Sequence, residues 1–228
     1  MNTFKKAVII VAGGSGKRMQ SVLPKQFILL NGKPLIFHTI EKFNKALDEL
    51  QIIVVLPGNY FEYWEELVNK YQFTIPVTLQ KGGKERFDSV KNGINCLSEN
   101  IQVVGIHDAV RPLVSVKTIQ KCYQTALEKG NAVPVIPVVD SLRKTENGYS
   151  KAVNRNLYQI VQTPQCFRID LIHKMYQQDY QDFFTDDASV LENLGEKIHL
   201  TEGNRENIKI TTPEDLKIAA CLLQSSDV

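Results

Sequence analysis

Long apolar runs are missing from this 228-residue chain, and no segment approaches the roughly 20 residues that a helix needs to cross a bilayer. A membrane-spanning role is not expected. A strong charge imbalance is missing too, because 27 Lys and Arg stand against 25 Asp and Glu for a net charge of +2. That balance lacks the basic face of a nucleic-acid binder, so nucleic acid is not an expected partner. Any polyanion the protein handles must meet a local cluster of positive charge. Cys96, Cys122, Cys166 and Cys221 lie far apart without CxxC or Cys/His spacing, which argues against a disulfide framework or a zinc site. Reduced thiols in a cytoplasmic protein are the simpler expectation. Two lysines precede the apolar run Ala7–Ala12, as in a signal peptide, but the run is too short and leads to Lys17 and Arg18.

What is present is an alternation of short apolar runs with amphipathic segments. Ala7–Ala12 is continuous, β-branched and followed by glycine, as in a strand buried on both faces. Pro34–Leu47 spaces Leu35, Ile36, Ile40, Phe43 and Leu47 as one face of a helix, with Pro34 suited to its first turn. The pattern continues with a strand at Ile52–Leu56, an aromatic helix over Tyr60–Tyr71 and a strand at Val77–Leu79. A helix over Arg86–Leu97, a strand at Val103–Ile106, a helix over Ser115–Lys129 and a strand over Ala132–Val138 follow. A helix opens at Thr185-Asp186-Asp187 and closes at Gly195; Ile208–Ile210 reads as a strand, and Thr212 caps a last helix with Pro213 at its first position. The expected fold is α/β: a Rossmann-like, mostly parallel sheet with helices on both faces. No repeat or linker divides it, so residues 1–228 read as one domain.

Between about 140 and 156 the pattern breaks. SLRKTENGYSKAV is polar, and Asn147-Gly148 is a strong hairpin signal because both residues tolerate positive φ. The segment reads as a projecting β-hairpin arm. A lone hairpin is marginal in water, so packing on a second copy of the chain is expected; a mobile surface hairpin is the plainer alternative.

Four segments offer chemistry. The first, Ala12-Gly13-Gly14-Ser15-Gly16-Lys17-Arg18, is neither a P-loop, since Val11 stands where the first glycine belongs, nor a dinucleotide fingerprint, since Met19 stands where the last one belongs. It still presents backbone N–H groups to an anion after a buried strand, with Lys17, Arg18 and Lys25 as nearby charge. A tight turn with solvated basic residues would look the same. The second, Gly82-Gly83-Lys84-Glu85-Arg86-Phe87-Asp88-Ser89, suits phosphate or base contacts at a helix start, or is only a capped helix. The third, His107-Asp108-Ala109-Val110-Arg111, ends a strand with a carboxylate able to hold Mg²⁺, although Arg111 could pair with it structurally. The fourth, Asn207-Ile208-Lys209-Ile210, aims Lys209 away from two buried isoleucines, or places it on the solvent face of an edge strand.

Together, AGGSGKRM, PKQF, GGKERFDSVKNG, HDAVRP, QTPQCF, TDDAS and NIKITTPEDL resemble, in order, the 2-C-methyl-D-erythritol 4-phosphate cytidylyltransferase family of the non-mevalonate isoprenoid pathway. The resemblance covers almost the whole chain. It implies a Rossmann-like nucleotidyltransferase that uses Mg²⁺ to join CTP to a small sugar-alcohol phosphate, and a homodimer formed through the arm. By position it implies catalytic roles for Arg18, Lys25, Arg155 and Lys209. It implies a nucleotide pocket of Ala12, Gly13, Gly14, Gly16, Gly82, Arg86, Ser89, Asp108 and Ala109, with Asp108 serving the metal. The acceptor would meet Arg111, Ser141, Arg155, Thr185 and Lys209, with Arg155 reaching into the partner's site. Two positions depart from the pattern: Gly13 where many members have alanine, and Ser141 where threonine is expected.

The implied reaction is in-line attack of the acceptor's phosphate on the α-phosphorus of CTP, releasing pyrophosphate. It needs positioning and charge neutralisation rather than a protein nucleophile. Two rival readings remain at this stage: a ribitol-5-phosphate cytidylyltransferase, and a non-catalytic nucleotide-binding module.

Overall fold

The computed structural model describes residues 5–13 and 23–225. Its central strand β1 (Lys6–Val11) runs parallel to β4 (Leu50–Leu56) on one side and to β6 (Val103–Asp108) on the other. Alternation along these strands explains the continuous apolar runs. Val8 and Ile10 of β1, with Ile52, Val54 and Leu56 of β4, join one core; Ala7 and Ile9, with Ile53 and Val55, join a second on the opposite face. A sheet buried on both sides has no polar face to alternate with.

Beyond β4 lies the parallel edge strand β5 (Thr78–Lys81). Beyond β6 comes β11 (Gln165–Arg168), antiparallel to it, then β7 (Asn131–Pro137). β10 (Gln159–Val161) extends the same flank of β7 antiparallel, and β12 (Leu200–Glu202) pairs with β7 in parallel. The sheet therefore has eight strands and is mixed. Helices α1 (Leu35–Ala46), α2 (Phe61–Tyr71) and α4 (Val116–Lys129) cover the first core; α3 (Arg86–Ile94), α5 (Ile169–Met175) and α6 (Asp187–Glu192) cover the second. The last helix, α7 (Pro213–Ser225), packs with a small hairpin of β2 (Leu29–Leu30) and β3 (Lys33–Pro34) and with Leu113 in a third cluster. Among the described residues no helix is long and apolar enough to cross a membrane.

The arm forms as expected. β8 (Arg143–Glu146) pairs antiparallel with β9 (Tyr149–Ala152) as a separate two-stranded sheet, and Asn147 and Gly148 both take positive φ at the turn. All eight strand residues are exposed.

Three expectations need correction. The helix from Arg86 ends at Ile94 rather than Leu97, because Cys96 and Leu97 donate to Gly93 and Ile94 in tighter, 3₁₀-type bonds. The helix opened by Thr185-Asp186-Asp187 ends at Glu192, and Gly195 closes the following turn with positive φ. Ile208–Ile210 is not a strand. Its bond to the fold there runs from Ile210 N–H to the Val110 carbonyl, at 3.0 Å, in the loop beyond β6 where no ladder continues.

Candidate active site

Two features lie beyond the carboxyl ends of the parallel strands, where open α/β sheets bind ligands. The first is a cleft of about 400 Å³ lined by Gly13, Pro57, Gly58, Asn59, Lys81, Gly82, Gly83 and Ser89. Its floor is built by strand ends. Ala12 N–H donates to Val55 O at 2.9 Å and Gly82 N–H to Leu56 O at 2.8 Å. Ser89, buried in the first turns of α3, accepts from Gly83 N–H at 3.1 Å and donates to Glu85 O at 3.0 Å. A Cβ on Gly82 would stand 3.2 Å from the Ser89 hydroxyl, and one on Gly83 only 2.2 Å from Asp88 Cβ. Side chains at these glycines would crowd the loop against its own helix. Gln26, in the short turn Lys25–Phe27, ties this segment to the cleft by donating to Ala12 O at 2.6 Å.

The second feature is a cationic cluster around Asp108, the last residue of β6. Its Oδ2 accepts from Arg111 Nε at 3.2 Å and lies 3.0 Å from Lys209 Nζ. Burial alone would raise the Asp108 pKa, but Arg86, Lys209 and Arg111 hold it well below the ordinary carboxylate range. Asp108 is therefore ionised at any working pH.

The residue before it, His107, is fully buried against the Phe43 ring at 4.8 Å. Burial lowers its pKa to about 4, so the ring is neutral at pH 7. Its Nδ1 lies 2.9 Å from Thr163 Oγ1 and its Nε2 3.1 Å from Arg111 O. Thr163 Oγ1 also accepts from Asp108 N–H at 3.2 Å. One tautomer satisfies all three bonds: the threonine hydroxyl donates to Nδ1, and Nε2–H donates to the Arg111 carbonyl.

Lys209 owes its position to irregular backbone rather than to a ladder. On one side the Asn207 carbonyl accepts from Arg111 Nη1 at 2.8 Å, and the Asn207 amide donates to Thr163 O at 2.9 Å. On the other side Ile210 is held by Val110. Arg111 thus bridges Asp108 and the Lys209 segment, and this structural use of the arginine is one the sequence left open.

Arg86 opens α3 and forms a bidentate pair with the buried carboxylate of Asp187, Nη1 to Oδ1 at 2.8 Å and Nη2 to Oδ2 at 2.6 Å. Ala109 is buried beneath the site, its N–H donating to Val11 O and its carbonyl accepting from Thr39. Thr185 is exposed just before α6. Ser141 and Arg155 sit on the arm, exposed, with the Arg155 guanidinium donating to Val139 O. The structure therefore groups Asp108, Arg86, Arg111 and Lys209, and separately groups Gly13, Gly82 and Ser89. Among the described residues Ser141 and Arg155 make no hydrogen bond or ion pair with either group. Gly14, Gly16 and Arg18 lie outside the described residues. The sequence reading gave no role to Gln26, Thr163, Asn207 or Asp187. They stand in PKQF, QTPQCF, NIKITTPEDL and TDDAS, so their motifs were visible although their bonds were not.

Asp108 also bears on metal binding. Among the described residues no group of three or more His, Cys, Asp or Glu is placed to hold a metal ion. One ionised carboxylate surrounded by cations does not make a protein cage. It does fit Mg²⁺ that shares its coordination with substrate phosphates and water.

A glycine-lined cleft and an ionised carboxylate with its cations, above a mainly parallel sheet, give this α/β protein a site suited to a polyanion. A family model described as 2-C-methyl-D-erythritol 4-phosphate cytidylyltransferase matches residues 6–225. The chain belongs to that family. Proteins of that name from Bacteroides thetaiotaomicron and Bacteroides fragilis are 48% and 49% identical to it, over 96% of this chain and 100% and 99% of theirs. A solved structure of 4-diphosphocytidyl-2C-methyl-D-erythritol synthase from Anaerococcus prevotii superimposes with a TM-score of 0.82 at 26% identity, covering 97% of each chain.

Proposed function

We propose that this protein transfers the cytidylyl group of CTP to 2-C-methyl-D-erythritol 4-phosphate and releases pyrophosphate, a step of isoprenoid precursor synthesis in the cytoplasm. The observation that carries this reading is that Asp108 pairs in register with Val11, two residues before Gly13 of the cleft, in a chain whose family is named for the reaction. The family match favours methylerythritol phosphate over ribitol 5-phosphate as acceptor.

The cytosine and ribose enter the cleft beside Gly13, Gly82 and Ser89, and the triphosphate extends toward Asp108 and Lys209. Asp108 would hold Mg²⁺, and the ion would supply charge neutralisation for the triphosphate. Lys209 lies 3.0 Å from Asp108 and stabilises negative charge as the acceptor's phosphate oxygen attacks the α-phosphorus. Lys25 and Arg18 supply further positive charge from the segment that follows β1. The acceptor phosphate is already largely ionised near neutral pH, so no side chain has to remove a proton. Rate enhancement comes from placing two anions in line and offsetting their repulsion.

The arm supports a homodimer. Val139, Tyr149, Leu157, Tyr158 and Ile160 are exposed apolar residues on or beside it, and Tyr149 is 83% exposed. A second copy of the chain would cover them and bring Arg155 and Ser141 to the neighbouring acceptor pocket. The decisive experiment incubates purified protein with CTP and Mg²⁺ and with each acceptor phosphate in turn, reading pyrophosphate. Release with methylerythritol phosphate alone is expected; release only with ribitol 5-phosphate, or CTP binding without turnover on either, refutes the assignment.

A further inference from the structure

Asp187 is fully buried, yet it takes part in no backbone cap. That task belongs to Asp186, which accepts from Ser189 N–H at 2.9 Å. Among the described residues its carboxylate instead bonds to side chains outside α6: the two Arg86 nitrogens at 2.8 and 2.6 Å, and the Tyr176 hydroxyl at 2.5 Å. Aromatic rings lie close by, with Phe87 tilted against Tyr176 at 4.7 Å and stacked near Phe184 at 5.7 Å. The carboxylate is fully buried whereas the Arg86 side chain keeps 34% of its surface, and such a pair contributes little stability over an apolar substitute, because desolvation of the carboxylate offsets the attraction. What the pair does supply is a fixed geometry between two segments that are 101 residues apart in sequence.

Those segments face different substrates. Arg86 directly follows the loop that floors the nucleotide cleft, and Gly83 N–H is bonded to Ser89 one turn further along α3. Asp187 lies two residues after Thr185, in the segment assigned to the acceptor. Gln165 of β11 fixes the same segment from below, donating to Asp186 Oδ2 and accepting from Ala188 N–H, both at 2.8 Å. We propose that Asp187, supported by Tyr176, is a positioning residue that uses Arg86 to fix the acceptor loop at Thr185 against the nucleotide-binding loop, so that acceptor recognition depends on the Arg86–Asp187 pair while CTP binding does not. This rests on the cytidylyltransferase reading given above. Each terminal nitrogen of Arg86 gives one N–H to Asp187, which fixes the direction of the guanidinium and makes the arginine a strut between the two segments.

The test compares wild type with Asp187→Asn and Tyr176→Phe. The readouts are steady-state constants for the acceptor, equilibrium dialysis of labelled CTP, and thermal melting to establish the folded fraction. Turnover by the wild type is the first check, and its failure would bear on the proposed function and not on the strut. Given turnover, folded Asp187→Asn is expected to raise the acceptor KM about ten-fold, with the CTP Kd changed less than about two-fold. Tyr176→Phe should give the same pattern at about three-fold, since the ion pair survives. A purely structural role would reduce kcat with the folded fraction and leave the acceptor KM alone; that outcome overturns the proposal. An equal loss of CTP affinity overturns it as well. If Asp187→Asn does not fold, Tyr176→Phe decides by the same criteria.

Discussion

His107 offers a sharp test of how the Asp108 cluster is supported. The neutral imidazole is wedged between Thr163 and Arg111, and burial lowers its pKa from 6.5 to about 4. Because the folded value lies below the unfolded one, the native state resists protonation that the unfolded chain accepts. The resulting stability is fully present above about pH 6.5 and is lost as the pH falls toward 4. Each pH unit below 6.5 costs about 1.4 kcal/mol until the folded ring itself titrates. Lowering the pH from 7.5 to 5.0 should therefore remove about 2 kcal/mol through His107 alone. His38, whose pKa burial also lowers, adds to the loss in the same direction, whereas Asp108 stays ionised throughout this window. The assay is urea unfolding at the two pH values for wild type and His107→Gln, whose amide can accept from Thr163 and donate to the Arg111 carbonyl. The variant loses the ring contact with Phe43 at both pH values, so only the pH-dependent difference is informative. It should be smaller in the variant by about 2 kcal/mol. Equal pH dependence within about 0.5 kcal/mol, well under the single-proton magnitude, would refute the reasoning.

Other expectations follow from the site. Lys25→Ala and Lys209→Ala should each lower kcat by roughly 10²-fold or more in the pyrophosphate assay, as loss of one charge-stabilising donor does elsewhere, and near-normal turnover would remove that lysine from the mechanism. Ser89→Ala takes away the acceptor of Gly83 N–H and should weaken CTP binding by about ten-fold in calorimetry, the scale of one buried unpaired donor; an unchanged Kd would mean the loop does not rely on this hydroxyl. Ile160→Asp, at an exposed apolar position of β10, should shift the molar mass in light scattering from dimer to monomer and leave the melting temperature nearly unchanged. A persistent dimer would place the interface elsewhere.

Much of this fold is local in origin, and for that reason the sequence revealed it. β1 and β4 are buried on both faces, so their apolar runs are continuous. Ser115 caps α4 through Thr118 N–H, and Asn147-Gly148 turns the arm by backbone preference alone. The stretch from Asn156 to Thr185 was not legible, nor was β12, although the helices opened at Asp186 and Thr212 were. β10, β11 and β12 are three or four residues long, and α5 has seven. Their pairing is non-local, so no periodicity of useful length announces that β11 lies antiparallel between β6 and β7.

The site divides the same way. The residue types named from the sequence, a glycine loop, a strand-end carboxylate and scattered cations, were enough to expect a polyanion. Which cation serves which carboxylate could not be read, because each link spans distant segments: Lys209 with Asp108, Arg86 with Asp187, Arg111 with the Asn207 carbonyl. Lys209 shows the limit most clearly. Its two isoleucine neighbours suggested a strand, yet a bond from Arg111 and bonds to the Thr163 and Val110 carbonyls hold this segment instead. Sequence by itself determined the chemical groups and the strands that carry them. Tertiary structure alone decided their pairing, since the energy of an ion pair depends on distance and burial that only the folded chain defines.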